Sequence, residues 1–394
     1  MLLGVVGAPN KGKSTFFSAA TLVDAQIANY PFTTITPNRG ITYVRAPCPH
    51  VELGLKGCNA KNSKCVNGVR LVPVGMIDTP GLVPDAHLGK GLGNKFLDSI
   101  READALIQVV DATGKTDVHG NACESCAPQD EVAFLKNEIA MWIVEIMKRK
   151  GGAAHGNAGG KTISVKDAAT ALSGLRIDET MIAHAASACG LDITDGVMPD
   201  QEGLEEIAVK LVEKRMPFAV ACNKIDVPGA KEKYGAAHNE IGPGVFACSA
   251  AVELALRKAA ERGLIDYAPG AKSFVIVGQP DAKQAEALEK MSAFLEANGG
   301  TGVQQIIDWA VYERLNAIIV YPVEDEHRYC NNKGEVLPDA FLVPKGTVAK
   351  QLAAMVHTEL ASKFIGAIDA KRHIRVGADH VLENGDVVKI VAGH

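Results

Sequence analysis

The sequence contains no apolar run near the ~18 residues that a membrane span requires. It has no basic excess either: 41 Lys and Arg stand against 46 Asp and Glu, for a formal net charge of −5. A bulk positive field for nucleic acid is therefore excluded. No signal peptide is expected, because Met1 leads directly into the strand-like MLLGVVG. A cytoplasmic monomer without membrane contact is expected. What is present is ordinary for a globular chain: 394 residues, 47% hydrophobic and 22% charged, enough for two or three domains. Nine cysteines, an odd number, fit reduced thiols that are buried or held on metal.

The first motif is GAPNKGKST, with Gly7, Gly12, Lys13 and Ser14 at the spacing of a phosphate-binding loop. It follows an apolar strand, Leu2 to Val6, and precedes a helix predicted from Ser14 to Leu22. Glycines let backbone N–H groups turn toward phosphate oxygens, and the helix N-terminus adds partial positive charge. Gly7, Asn10, Lys11, Gly12, Lys13, Ser14 and Thr15 form the predicted cradle. Lys13 would reach the β- and γ-phosphates, and the Ser14 hydroxyl would ligate Mg²⁺. IANYPFTTITPNRG reads as a mobile loop in which Thr34, or else Thr33, completes the Mg²⁺ shell. Asp78 ends the strand-like VRLVPVGMI and would bind Mg²⁺ directly or through water. The Gly81 N–H would sense the γ-phosphate, so its loss would release both loops.

In FAVACNKIDVPG, the string Asn223-Lys224-Ile225-Asp226 follows another apolar strand. An Asp226 carboxylate can accept from both N1–H and the exocyclic amine of guanine, a donor pair that adenine lacks. Asn223 would steady the loop and the Lys224 stem would cover the ring. A strand from Val245 to Cys248 leads into SAAVE, where Ser249 and Ala250 complete the base site. The Ala250 N–H is expected at guanine O6.

Together these motifs resemble the Obg-like GTPases. YPFTT, DTPGLVPDAHLGKGLGNKFLDSIREADA and the C-terminal segment are similar to the YchF branch in its archaeal form. The resemblance covers nearly the whole chain. It implies an α/β P-loop GTPase with a doubly wound, mostly parallel sheet, binding GTP and GDP with Mg²⁺ and hydrolysing GTP slowly. Some members of the branch have lost the acidic residue of the guanine motif and prefer ATP. Asp226 is intact here, so GTP is expected. Lys11 departs from the small or apolar residue usual in the family.

From Asp78 to Asn223 is 145 positions, more than one βαβ step requires. DEVAFLKNEIAMWIVEIMKRK places Leu135, Ile139, Trp142, Ile143 and Ile146 on one helical face, which is read as core. Three further helices follow, one capped by Ser164 and one with Pro199 in its first turn. The predicted organisation is a G domain over 1–127 and 216–315 and a helical insert over 128–215. Residues 316–394 form an α+β, β-grasp-like module. In it, VAKQLAAMVHTELASKF reads as one helix, and HIRVG and DVVKIV as strands joined by NGD. LPDAFLVPKGTVAKQLA and GDVVKIVAGH resemble a TGS domain, which implies a ribosome or translation-factor partner. Its nine Lys and Arg against ten Asp and Glu give no phosphate-binding surface by composition.

Cys48, His50, Cys58 and Cys65 could bind Zn²⁺ tetrahedrally. Their spacing matches no common zinc finger, which favours reduced thiols in a surface loop. Cys123 and Cys126 form an isolated pair. After Asp-Thr-Pro-Gly, many GTPases place a Gln that aligns the attacking water; here the residue is Leu82. Three nearby residues are candidates for that task. Resemblance to K⁺-activated GTPases assigns Asn10 to a K⁺ ion, the reading we favour. Lys11 would extend over the phosphates or into solvent, and His87 would approach on loop closure.

Overall fold

The computed structural model describes residues 1–21, 38–81, 99–151, 163–215 and 218–393. Its strands are β1 (Leu2–Val6), β2 (Arg39–Pro47), β3 (Lys64–Val66), β4 (Val69–Asp78), β5 (Ala105–Asp111), β6 (Phe218–Asn223) and β7 (Val245–Ala247). A short pair follows, β8 (Ile265–Asp266) and β9 (Val275–Ile276). Then come β10 (Ala317–Val323), β11 (Phe341–Pro344), β12 (Phe364–Asp369), β13 (Ile374–Val376) and β14 (Val387–Ala392). The chain divides into two compact units. The larger holds 2–19 and 77–306, and the smaller holds 20–76 and 307–394 with Met1.

In the larger unit β1, β5, β6 and β7 lie side by side and all run parallel, with Val5 opposite Ile107, Ile107 opposite Ala219 and Ala221 opposite Phe246. β1 and β5 are buried along their whole length. Such continuous apolar runs suit parallel strands covered on both faces. The described strings Gly7–Ser14, Asp78–Gly81, Asn223–Asp226 and Ser249–Ala250 each lie at or just beyond the carboxyl end of a strand, where open α/β sheets place their ligands.

Helices Pro128–Gly151, Val165–Leu172, Glu179–Ala188 and Gln201–Arg215 supply the predicted helical segment. Leu135, Ile139 and Ile143 are buried with Leu172, Ile182, Leu204, Ile207 and Leu211, so the apolar stripe is core. Val6 and Leu106 belong to the same core, which makes the segment continuous with the sheet's packing. Ser164 caps its helix by accepting from the Asp167 N–H. Pro199 lies just before the last of these helices, rather than in its first turn.

The C-terminal sheet of the smaller unit has the order β11-β10-β14-β12-β13. β10 and β14 are parallel and the other pairs antiparallel. Helix Ala349–Val356 seats Ala349 and Leu352 against Ile318, Val320, Val343 and Val388. Two expectations change here. The predicted single helix is broken at His357, whose extended backbone lets its ring accept from the Glu359 N–H and start a second short helix. The strands on either side of NGD are not neighbours, because β12 lies between β13 and β14. The C-terminal module and parallel P-loop sheet make the whole an α/β fold with an α+β extension.

Candidate functional site: a phosphate cradle and its base loop

The loop between β1 and helix Lys13–Thr21 adopts backbone shapes that its residues permit. Gly7 has φ +143°, and a Cβ there would lie 2.4 Å from the Val109 carbonyl oxygen. Gly12 has φ +92°, and a Cβ would lie 2.4 Å from the Asn223 side-chain nitrogen. No larger residue fits either place. Asn10 takes φ 63°, a left-handed conformation that Asn tolerates better than most residues. Its amide donates to the Gly120 carbonyl at 3.1 Å.

Lys13 is buried, and its ammonium donates to the Ala8 carbonyl within the same loop at 3.0 Å. Burial lowers its pKa, opposed by the Asp78 carboxylate. The Ser14 hydroxyl donates to Asp78 Oδ2 at 3.0 Å. Burial raises the Asp78 pKa against the pull of Ser14 and Lys13. Asp78 Oδ1 is buried without a hydrogen-bond partner among the described residues. An orphaned carboxylate oxygen beside a hydroxyl is the hard oxygen set that Mg²⁺ takes, so these residues fit the ion. Thr79 pins the strand end, its N–H and hydroxyl both donating to the Val5 carbonyl. Gly81 is thereby held near the cradle; a Cβ on it would lie 3.4 Å from Lys13 Nζ. Thr33, Thr34, Leu82 and His87 lie outside the described residues.

The base loop is tied back to the cradle. Asn223 Nδ2 donates to the Lys11 carbonyl at 2.9 Å, and Lys224 Nζ donates to the Asn10 carbonyl at 2.9 Å. Lys224 also pairs with Asp111 Oδ2 at 2.9 Å. Burial alone would raise the Asp111 pKa, but hydrogen bonds from Thr113, Lys224 and Thr116 outweigh it and hold the pKa low. Asp226 Oδ1 accepts from the Ser249 hydroxyl at 2.6 Å. The Ala250 N–H, expected at guanine O6, instead donates to Asn223 Oδ1 at 3.0 Å. The loop around Ser249 and Ala250 rests on residues that no motif flagged. Ser249 N–H donates to the Thr301 carbonyl, while buried Glu253 accepts from Arg257, Tyr267 and Thr301.

Lys11 corrects the sequence reading most clearly. Its side chain is neither over the phosphates nor in solvent; it is fully buried. The ammonium donates to Glu131 Oε1 at 2.8 Å, to Thr116 Oγ1 at 2.7 Å, and to the Thr116 and Asp117 carbonyls at 3.1 and 2.7 Å. Only its backbone remains part of the cradle. Burial pushes the Glu131 carboxyl up to about 7, with Lys11 pulling the other way. The folded state therefore holds this proton more tightly than the unfolded chain, where the carboxyl titrates near 4.5. The associated stability is fully present below about pH 4.5 and is lost as pH rises through about 7. Relative to Glu131→Gln, the wild type is expected to lose up to about 3 kcal/mol across that window. Thermal melts of both proteins from pH 4.5 to 8 check this; a pH-independent difference would refute it.

Two cysteine expectations also meet the structure. Cys123 and Cys126 form a disulfide, where reduced thiols were expected. Cys48, His50, Cys58 and Cys65 converge within the smaller unit, with Cys48 buried rather than in an open surface loop.

Comparison with known proteins follows the same lines. Residues 2–145 match the family described as 50S ribosome-binding GTPase. Residues 221–325 match the Obg-like GTPase YGR210-like, G4 motif-containing domain, and residues 329–392 match the TGS domain. The chain is 46% identical over 393 residues to a GTP-binding protein of Methanocaldococcus jannaschii, covering 99% of both. The crystal structure of a GTP-binding protein from Pyrococcus horikoshii OT3 is similar over 100% of both chains, with 36% identity and a TM-score of 0.75. A protein of Haemophilus ducreyi named ribosome-binding ATPase YchF is 39% identical over 140 residues, 35% of this chain and 36% of that protein.

Proposed function

Since the chain belongs to the Obg-like, YchF-type family of P-loop GTPases and carries a C-terminal TGS domain, we propose that it binds GTP with Mg²⁺ and hydrolyses it slowly to GDP and phosphate, as a switch in translation. The observation that carries GTP is the intact Asp226, fixed on one oxygen by Ser249. No partner engages its other oxygen among the described residues. We take 1–127 and 216–315 as the G domain, 128–215 as its insert and 316–394 as the TGS domain.

Ser14, Asp78 and Thr34 would hold Mg²⁺, which when bound neutralises charge on the phosphates. Lys13 would exchange its bond to the Ala8 carbonyl for phosphate oxygens. The Gly81 N–H, held close to Lys13, would mark the presence of the γ-phosphate. Asp78→Asn is expected to weaken Mg²⁺-dependent binding by at least ~10-fold. Calorimetric titration of nucleotide with and without Mg²⁺ measures it, and equal Mg²⁺ dependence in both proteins would dismiss Asp78 as a ligand.

Leu82 cannot hydrogen-bond water, so the transferring phosphoryl charge must be met elsewhere. Lys11 is committed to Glu131, which leaves Asn10 with K⁺ as our reading. The Asn10 amide nitrogen faces Gly120, leaving its oxygen as an acceptor. Hydrolysis should rise when K⁺ replaces Na⁺, and Asn10→Ala should abolish that gain. A rate indifferent to K⁺ would discard this assignment.

ATP is the second reading. It draws on relatives named ATPases and on the Ala250 N–H being already satisfied by Asn223. Whether the nucleotide gates a partner is tested by ribosome co-sedimentation in GDP, GTP-analogue and empty states. A switch binds unequally in the three; equal binding would indicate a scaffold in which hydrolysis is incidental.

A further inference from the structure

The loop between β2 and β4 brings together four soft donors from distant positions. The ligand atoms of Cys48, His50, Cys58 and Cys65 all lie within 4.8 Å of one another. Cys48 Sγ is 3.7 Å from Cys58 Sγ, and Cys65 Sγ is 3.7 Å from His50 Nδ1. A disulfide requires about 2.05 Å, so the first pair is far too long for one. A tetrahedron built on Zn–S bonds of about 2.3 Å and Zn–N bonds of about 2.0–2.1 Å has S···S edges of about 3.8 Å and S···N edges of about 3.6 Å. The Cys48–Cys58 and Cys65–His50 spacings match such edges, and the remaining pairs, all within 4.8 Å, need to close only modestly around an ion.

The surroundings decide between free thiols and a metal centre. Arg70 is fully buried and lies opposite Cys65 in the β3–β4 hairpin. Its guanidinium points N–H groups at Cys58 Sγ, 3.2 Å away, and Cys48 Sγ, 3.9 Å away. It also donates to the Leu337 and Pro338 carbonyls and stacks on Tyr321. Among the described residues it makes no ion pair. The half-buried Asp339 carboxyl feels its charge without pairing with it, so the groups in direct contact with the guanidinium would be neutral thiols and carbonyls, a costly setting for a buried cation. Three thiolates, a neutral imidazole and one divalent ion leave one net negative charge, which Arg70 balances. N–H donors aimed at ligating sulfur are the usual outer partners of such a centre.

We propose that Cys48, His50, Cys58 and Cys65 bind one Zn²⁺ ion tetrahedrally, with Arg70 as the balancing outer partner, and that the ion fixes the loop that anchors residues 335–340. Binding displaces the three thiol protons to solvent. The anchoring is visible in the backbone. Asn59 N–H donates to the Val336 carbonyl and Lys61 N–H to the Pro338 carbonyl, both at 2.8 Å. The Asn62 amide bonds the Ala340 backbone in both directions, and Lys61 pairs with Glu335 at 2.7 Å. All of these anchors lie between Cys58 and Cys65, the span that two ligands would staple.

The test uses the full chain, purified under reducing conditions without chelator. Elemental analysis should find about one Zn per chain. Metal-free protein given Co²⁺ should show thiolate charge-transfer bands and the intense visible bands of a tetrahedral ion. Cys58→Ser and Cys65→Ser should lose both signals, and Cys189→Ser should keep them. Arg70→Met should weaken Zn²⁺ binding about 10–100-fold with all four ligands intact. Removing the metal from wild-type protein should speed amide exchange at 335–340. Absence of stoichiometric Zn together with no tetrahedral Co²⁺ spectrum in the wild type would overturn the site, whatever the variants do. Unchanged metal content in Cys58→Ser would overturn it too. Exchange at 335–340 that ignores the metal would overturn the anchoring role.

Discussion

In direct titration, GTP is expected to bind at least ~100-fold more tightly than ATP, because adenine offers Asp226 neither of the two donors that guanine presents. A hydrogen bond to a charged group contributes about 1.5–3 kcal/mol, and two are lost. On the proposed reading this discrimination rests on a single side chain. The Ala250 N–H is engaged by Asn223, so it adds nothing to the difference. Ser249 holds one Asp226 oxygen and so orients the other. Asp226→Asn should lose guanine and accept xanthine, whose carbonyl at position 2 suits the new amide. Lys13 and Ser14 are untouched by that swap, so phosphate binding should survive it. Equal affinity for ATP and GTP would show that Asp226 does not meet the base.

The second large effect concerns the buried pair below the cradle. At pH 8, where the Glu131 carboxyl is ionised, Glu131→Met should destabilise the protein by about 3–5 kcal/mol, because it leaves the Lys11 ammonium buried with only Thr116 and Asp117 as acceptors. For a chain this large that is a melting shift on the order of 10 °C. The double variant Lys11→Met/Glu131→Met removes both charges and should recover most of the loss. A double variant as unstable as the single would mean that packing, not the stranded charge, sets the cost. Scanning calorimetry on the three proteins at that pH distinguishes the outcomes.

These two sites differ in how far the sequence announces them. Gly7, Lys13, Ser14, Asp78 and Asp226 stand in short strings, as residues proposed for phosphate and guanine contacts should, because such contacts act over a few consecutive residues. Lys11 and Glu131 are 120 positions apart, and nothing local marks either as half of a pair. A lysine beside glycines reads as a solvated or phosphate-facing residue until the fold buries it. The SAA string marks a loop that the fold sets beside Asn223 and Asp226, but the partner of the Ala250 N–H depends on where Asn223 sits. Cys48, His50, Cys58 and Cys65 were legible as a candidate set, but their spacing along the chain did not show that they converge. Cys48 and Cys65 meet because the β3–β4 hairpin turns at Asn67 and Gly68, and Gly68 accepts from the Cys48 N–H. The stripe from Leu135 to Ile143 was legible as core for the opposite reason: helical periodicity is a local property.

The pairing of Lys11 with Glu131 has a mechanical side. Glu131 sits in the first turn of a helix of 24 residues, Pro128–Gly151, and its backbone carbonyl accepts from buried Gln108 of β5. One end of the helix is thus clamped to both the cradle and the sheet. At 1.5 Å per residue the helix is about 36 Å long. A tilt of only about 5° at the clamped end would displace the other end by roughly 3 Å. The helix would act as a lever whose fulcrum is the residue paired with Lys11 of the proposed cradle.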